Sequence, residues 1–537
     1  MKKTAIILMI ITLLSKVLGL VRETTLAYFF PTNGPVANAF LVSQILPITI
    51  VSLFSAGIST SFIPIYNKIV HEKGKEEGDI FTSNINNIVV IIILALIILL
   101  EIFTPSVIRI FAPGFTGYTK ELTIKFMRLT LLSMIPSIMS CVFKGYLNAN
   151  NHFVVQNLQG FIMNFFIILA LVISNKYDNN MIVGIGLLLG NALQYLPYIF
   201  ITKRKNFKYH KILDFSDKNV KMIVLLSIPI ILGVSVNQIN VMVDKSIAST
   251  VSANGIPILN YASRLIEFVT GIVIANISVI VYPELSRNFI ANDLNKMKDS
   301  IMKSMSMICI LVIPATIGLL VLSYPITKML FFRGAFTMND VDMTSVCMFF
   351  YALGIIGTAI RDILSKSFYA MNDTKTPTIN SVIMVAINII GNIILSRVFG
   401  LVGLAVATSF ANLIGAIMII MRLHKKIGDF SSTKSSFVNI FKMLISSLIM
   451  GALAYITFKT TNMRFSNTLS LMMSIIVAGI SYLSCILIFK VDELNEIIAF
   501  YKNRRKNRWF DNWKFFEYNF VIKTKIKRAH YDWFSER

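Results

Sequence analysis

Apolar runs of around twenty residues recur along the whole chain, separated by short stretches carrying Pro, Gly, Asn and charge. Fourteen runs centre near residues 17, 52, 95, 135, 164, 191, 235, 270, 315, 356, 387, 412, 448 and 479. None shows the two-residue alternation of a membrane β-barrel strand, and about 20 apolar residues is the length at which a helix crosses the hydrocarbon core. Inside lipid, backbone N–H and C=O groups have to be satisfied within the segment, so each run predicts a helix. The pattern predicts an all-α polytopic membrane protein of about fourteen transmembrane helices. Met1-Lys2-Lys3 followed by Thr4 to Leu14 imitates a secretory signal, but no small-residue cleavage site follows and the apolar run continues through Lys16 and Arg22 to Phe30. It is read as the first spanning helix.

The chain repeats itself at an offset of roughly 220 residues. Ala112-Pro-Gly-Phe-Thr116 matches Arg333-Gly-Ala-Phe-Thr337, Lys144-Gly-Tyr-Leu-Asn-Ala-Asn150 matches Lys366-Ser-Phe-Tyr-Ala-Met-Asn372, and Ile182-Val-Gly184 matches Leu401-Val-Gly403. Six helices separate the copies. An even-numbered unit gives two parallel lobes, with a transported substrate held near the midplane between them. The expected divisions are an N-lobe over 1–215, a C-lobe over 216–424, an unrepeated helix pair over 425–490 and a basic, aromatic tail over 491–537. In the tail, Trp509, Trp513 and Phe516 share a helical face beside Arg504-Arg505-Lys506. An interfacial helix held by anionic lipid and a disordered basic segment both remain open there.

Composition changes the picture only by excluding a soluble globule: 55% of residues are hydrophobic and 15% charged, against roughly 25% charged in soluble domains. The net charge of +24 would suggest nucleic acid in a soluble protein, but its placement gives topology instead. Basic residues crowd the loops at 202–221 and 422–442 and the tail after Lys490, whereas 31–36, 175–181 and 251–257 are almost free of them. With an even number of spans, both termini are expected to be cytoplasmic, and no nucleic-acid partner is expected. Cys141, Cys309, Cys347 and Cys485 stand singly in apolar stretches, and the five histidines fall in loops or the tail, so no metal site of that kind is expected.

Ionisable groups inside spans cost on the order of 3 kcal/mol or more at the membrane centre, so each needs a reason. Lys125, Arg128, Lys144, Arg361 and Lys366 lie toward span ends, with Asp362 and Lys366 one turn apart as a local ion pair. Lys16 and Arg22 occupy the middle and far half of the first span with Glu23. Lys16 and Glu23, seven residues apart, share a face, and their pairing would leave Arg22 about 100° round the helix and free for a ligand. The seventh and eighth spans carry polar stripes, Asn237–Asn240–Asp244 and Asn260–Arg264–Glu267, which face protein or water. Lys245 is expected to reach the outer interface. Guanidinium groups bind phosphate oxygens bidentately, so Arg22 and Arg264 could clamp an anionic diphosphate from two lobes.

These residues resemble the MurJ (also MviN) family of lipid II flippases, within the multidrug/oligosaccharidyl-lipid/polysaccharide exporter superfamily. The resemblance covers about residues 5 to 490. It rests on Ser15-Lys-Val-Leu-Gly-Leu-Val-Arg-Glu23, Phe54-Ser-Ala-Gly57 leading to Phe62-Ile-Pro-Ile65, Asn260-Tyr-Ala-Ser-Arg-Leu-Ile-Glu-Phe268, Tyr282-Pro-Glu-Leu-Ser286 and Arg333-Gly-Ala-Phe-Thr337. It implies a V-shaped transporter of the bacterial cytoplasmic membrane that moves undecaprenyl-diphosphate-linked disaccharide-pentapeptide outward by alternating access. The helix pair over 425–490 would then form the groove for the lipid tail. The family's cavity arginines fall on Lys16, Arg22 and Arg264, and its sodium site on Asp244, Asn388, Asn392 and Thr408; together with the polar stripes, the expected substrate-binding residues are Lys16, Arg22, Glu23, Asn38, Ser52, Asn260, Arg264 and Glu267. Where the family carries an acid and an arginine pair on its second helix, this chain has Asn38 and Val51-Ser52.

No nucleophile elbow, carboxylate-rich outer loop or Walker lysine loop is visible, so the chain is expected to be a transporter without an organic cofactor, driven by an ion gradient, membrane potential or product consumption. The expected partners are lipid II, membrane lipids and cell-wall synthesis machinery, with the chain acting as a monomer. Alternatives are a flippase for another polyprenyl-diphosphate glycan, a multidrug exporter, a lipid-sugar transferase using an outer acid such as Asp340, and a scaffold acting through its tail.

Overall fold

The computed structural model describes residues 2–150, 152, 155–291, 293–428 and 433–492; the tail from 493 on, with Arg504, Trp509, Trp513 and Phe516, lies outside the described residues. Seventeen helices and no strand are present among the described residues. Among the described residues twelve stretches are long and apolar enough to cross a membrane, where about fourteen were expected. The helices α1 (Lys2–Phe29) and α11 (Gly255–Ile290), which carry the charges described below, are not among the twelve. Large apolar side chains such as Ile98, Leu225 and Ile488 lie open on the outside of the bundle, as lipid solvent requires. The chain is a multi-pass membrane protein.

The helix α12 (Leu294–Phe331) is kinked at Leu322, three residues ahead of Pro325, and three others of the twelve stretches are broken into two helices where the apolar pattern alone predicts continuity. They are α2 (Pro35–Ser43) with α3 (Ile45–Lys73), α5 (Gly117–Leu132) with α6 (Met134–Ala149), and α8 (Met181–Leu193) with α9 (Leu196–Arg204). Each break precedes a proline by three residues: Gln44 and Pro47, Ser133 and Pro136, Gln194 and Pro197. Proline has no N–H for the carbonyl four residues back, and its ring crowds that carbonyl. The freed Ser43 carbonyl accepts from Thr130 Oγ1 of α5 at 2.8 Å, which fixes the first break against its neighbour. One repeat later stand α11, α13 (Met338–Ala370) and α15 (Leu401–Ile427), each a single helix; α13 and α15 contain no proline.

Between α3 and α5 runs α4 (Lys75–Phe111), and between α6 and α8 runs α7 (Val155–Lys176). The rest are α10 (Lys218–Val251), α12 (Leu294–Phe331), α14 (Lys375–Phe399), α16 (Thr433–Thr461) and α17 (Asn467–Ile488). In the first half α1 packs on α7, α2 on α5, and α3 on α6; in the second, α13 packs on α11, α12 and α15, and α14 on α15. The pair α16 and α17 packs together and onto α12. The principal helix contact between halves is α3 on α10, where Gly57 lies so close to Ser227 that an added Cβ would stand 2.7 Å from the serine Cβ. Small residues permit such close approach of membrane helices.

The matched repeat segments occupy equivalent places. Thr116 and Thr337 are the extended N-cap residues of α5 and α13, each following the long preceding helix. Asp362 and Lys366 form the expected one-turn ion pair, at 2.8 Å, and Arg128 reaches Glu101 of α4 at 3.5 Å. The segment 205–217 joining the halves is laced onto α4. There Asn84 donates to Asp214 O and accepts from its N–H, while Asp79 accepts the Lys208 N–H.

Candidate functional site

Two adjoining chambers of about 290 and 360 Å³ lie between the halves and share Gly19, Arg22, Glu23 and Arg264. The first is completed by Lys16, Leu20, Glu267 and Phe268, and the second by Gln44 and residues of α2, α3, α7, α10 and α11, among them Thr49, Gln238 and Lys245. Six side chains of opposite sign line them, Lys16, Arg22, Lys245 and Arg264 against Glu23 and Glu267.

Glu23 is the pivot. It is 1% exposed, and its Oε1 accepts from Arg22 at 2.5 Å while its Oε2 accepts from Asn260 of α11 at 3.0 Å. Arg264 Nε stands 3.8 Å from the same carboxylate and donates through Nη1 to Glu267 at 2.7 Å. An acid of the first half is thereby clasped by the second. The expected Lys16–Glu23 pair does not form, because Arg22, although next in sequence, folds back to take the carboxylate and sets its guanidinium 5.8 Å from the Phe40 ring centroid. Lys16 instead extends its ammonium toward Gly271 of α11, where an added Cβ would meet Nζ at 2.2 Å, and among the described residues it pairs with no carboxylate. Arg22 is thus engaged and Lys16 open, the reverse of the expected roles.

Two other expected cavity residues lie elsewhere. Asn38 is buried and donates to the backbone oxygens of Thr32, Gly34 and Ala253, lacing the start of α2 to the turn between α10 and α11. Ser52 donates to Thr49 O one turn back and lines neither chamber. The turn that holds Asn38 belongs to a closed end of the bundle. There Thr32 donates to Asp340 Oδ1 at 2.6 Å, Asn254 reaches the same oxygen at 3.4 Å, and the Ala335 N–H donates to Tyr28 O. Asp340 Oδ2 also accepts from Thr337 in a capping box, so this acid is consumed in holding three loops together.

Asp244, Asn388, Asn392 and Thr408 do come together, although they lie on α10, α14 and α15. Asn392 Nδ2 donates to Asp244 Oδ1, Asn240 approaches Asp244 Oδ2 at 3.5 Å, and Asn388 lies 3.1 Å from Thr408 Oγ1. With its amide turned, Asn388 donates to Asp244 Oδ1 at 3.1 Å and to Asn240 Oδ1 at 2.8 Å and accepts from Thr408 Oγ1. So turned, the amide satisfies these contacts by itself, and a cation among the oxygens would do so with the amide unturned. Asn392 Oδ1 is buried without a partner, which leaves one more oxygen for such an ion. The donor set is all oxygen, as a hard cation prefers.

Sequence periodicity found the Asn240–Asp244 stripe and missed its neighbour, Gln238–Val241–Lys245, shifted by one residue. That second stripe faces the chambers, and Gln238 accepts from Thr49 of α3 at 3.2 Å across the halves. The apolar Val241 in its middle hides the polar pattern. Lys245, expected at the outer interface, lies in the cavity instead because its place on α10 is one residue round from the buried acid.

The description "Lipid II flippase MurJ" fits residues 26–476, most of the chain. The chain belongs to the MurJ family. A probable lipid II flippase MurJ of Haemophilus influenzae is 30% identical over 459 residues, covering 82% of this chain and 89% of that one. Its counterpart in Thermotoga maritima is 26% identical over 490 residues, with 91% and 96% covered. Among solved structures, lipid II flippase MurJ in an inward closed conformation matches with a TM-score of 0.77 and 28% identity over 92% of this chain and all of that one. An inward-facing multidrug resistance transporter of the MATE family matches at 0.67 with 14% identity over 80% of this chain and 99% of that one, which shows a shared fold.

Proposed function

We propose that this protein is a lipid II flippase of the bacterial cytoplasmic membrane. It carries the undecaprenyl-diphosphate-linked disaccharide-pentapeptide from the inner to the outer leaflet by alternating access, without catalysing a reaction. The observation that carries this is the cavity between the halves, lined by four cations and two acids in a chain of the MurJ family. A diphosphate diester would offset the excess of positive charge, and charge-assisted hydrogen bonds from the cavity's cations would hold it. Chambers of 290 and 360 Å³ are at the small end of ligand pockets, roughly 300–1,000 Å³, so the halves have to part before the sugar-peptide headgroup enters.

With both termini cytoplasmic, the end held by Thr32, Asn254 and Asp340 faces outward, and this conformation is closed on that side. The residues Asp244, Asn388, Asn392 and Thr408 fit a sodium ion, which would supply counter-charge to the carboxylate and couple transport to the sodium gradient; membrane potential is the alternative drive. The pair α16 and α17 offers the lipid tail a surface outside the two halves. The test is depletion in a host without a second flippase: lipid II accumulates in the inner leaflet, and outer-leaflet labelling falls. Unchanged labelling overturns the proposal, and rescue of a different polyprenyl-diphosphate glycan redirects it to that cargo.

A further inference from the structure

Asp244 and Lys245 are neighbours in sequence with divergent surroundings. A helix turns about 100° per residue, so the two side chains leave α10 in different directions. Asp244 points to α14, where Asn392 donates to its Oδ1, while Asn240, one turn earlier on α10, approaches its Oδ2. Lys245 points into the second chamber with Arg22, Glu23, Asn260 and Arg264. Of the four cations that line the chambers, Arg22 is held by Glu23, and Arg264 is held by Glu267 and lies near Glu23. Lys16 and Lys245 make no ion pair or hydrogen bond with the described residues. They stand on opposite halves and in different chambers, with the engaged arginines between them.

We propose that Lys245 is a cargo-binding residue that holds one phosphate of the diphosphate from the second half and so sets the preference for a doubly charged linkage. The assignment rests on the proposed function. The excess charge of the cavity resides on the two free lysines, because the arginines' charge is already matched by carboxylates. An ammonium with three donors and no protein acceptor, facing a chamber, is held ready for an anionic oxygen. Gln238, two turns earlier on the same face, bonds Thr49 of α3 and fixes this side of α10 against the first half, so Lys245 is presented from a braced surface.

The test compares wild type, Lys245→Gln and Lys245→Arg in nanodiscs, with binding of undecaprenyl diphosphate, undecaprenyl monophosphate and lipid II read by native mass spectrometry. Lys245→Gln is expected to weaken the two diphosphate lipids about tenfold and the monophosphate by less than about threefold, with Lys245→Arg close to wild type. Thermal unfolding run alongside is expected to give the same midpoint for all three proteins. Unchanged diphosphate binding by Lys245→Gln overturns the assignment, as does an equal loss for all lipids, which a purely structural role would produce. Wild-type protein that binds none of the lipids overturns the proposed function and this assignment with it.

Discussion

The two halves share a repeat and differ in how their matching helices run. In the first half the stretches 35–73, 117–149 and 181–204 are each interrupted ahead of a proline, and in the second α11, α13 and α15 run through without a break. Interruption frees backbone groups and lets a rod bend; continuity favours long, close contacts such as Gly354 against Ser409, where α13 and α15 nearly touch backbone to backbone. The difference points to a division of labour in which the first half changes shape around a cavity, while the second, bent at Leu322 of α12, keeps α13 and α15 as a stiff pair beside the Asp244 cluster. Between them lies the Glu23 clasp.

The largest effect is expected at that clasp. Glu23→Ala leaves the Arg22 guanidinium, whose Nε already has no partner, buried without a counter-charge. Breaking a buried pair in this way costs about 3–5 kcal/mol. Lipid II transport should fall to background and the unfolding midpoint should drop sharply. Glu267→Ala removes an acid that is 59% exposed and should change stability by only about 0–1 kcal/mol. Equal effects of the two would mean that Arg22 does not need its partner, and the halves would not be joined as described.

A middle-sized effect separates the seam from the stiff pair. A Cβ at Gly354 would stand 2.8 Å from Ser409 Oγ and 3.0 Å from its Cα, so Gly354→Ala pushes on backbone and should lower stability by about 1–3 kcal/mol. A Cβ at Gly57 meets Ser227 at its side chain, 2.7 Å from Cβ and 3.6 Å from Cα, across the contact between halves. Gly57→Ala should therefore push the halves apart, slowing transport and lowering the unfolding midpoint by less than Gly354→Ala does, and Ser227→Gly in the same chain should restore both. If Gly57→Ala lowers the midpoint as much as Gly354→Ala does, the seam is as rigid as that pair.

Much of this was legible in the sequence, for identifiable reasons. Helices announce themselves in lipid because apolar length is nearly the only requirement, and the repeat placed Thr116 and Thr337 at equivalent caps. The stripe Asn260–Arg264–Glu267 was visible because all three are polar at helical spacing. Side-chain direction was not. Whether Lys16 or Arg22 takes Glu23 depends on which chain can fold back beside Phe40, and Lys245 was hidden by Val241 in its stripe. The helix breaks were written as a residue followed by Pro three later, but Pro64 and Pro105 sit inside unbroken helices, so proline alone does not decide. What decides includes a partner for the freed carbonyl, and that partner is distant in sequence.

An effect no larger than that of Gly354→Ala tests that last point. The single Thr130 hydroxyl proton lies between Ser43 O at 2.8 Å and Met127 O at 2.9 Å, and only the Ser43 carbonyl is denied its helical partner by Pro47. Thr130→Val should leave that carbonyl buried and unsatisfied, at a cost of about 1–3 kcal/mol in thermal or denaturant unfolding. Pro47→Ala supplies an N–H four residues after Ser43, so in that background Thr130→Val should cost almost nothing. The same Pro47→Ala change, by closing the break at Gln44, should slow transport even though it adds a hydrogen bond. Additive stability changes would show that Thr130 does not hold the break. Transport at the wild-type rate with Pro47→Ala would show that interruption of the first-half helices is not what lets them work.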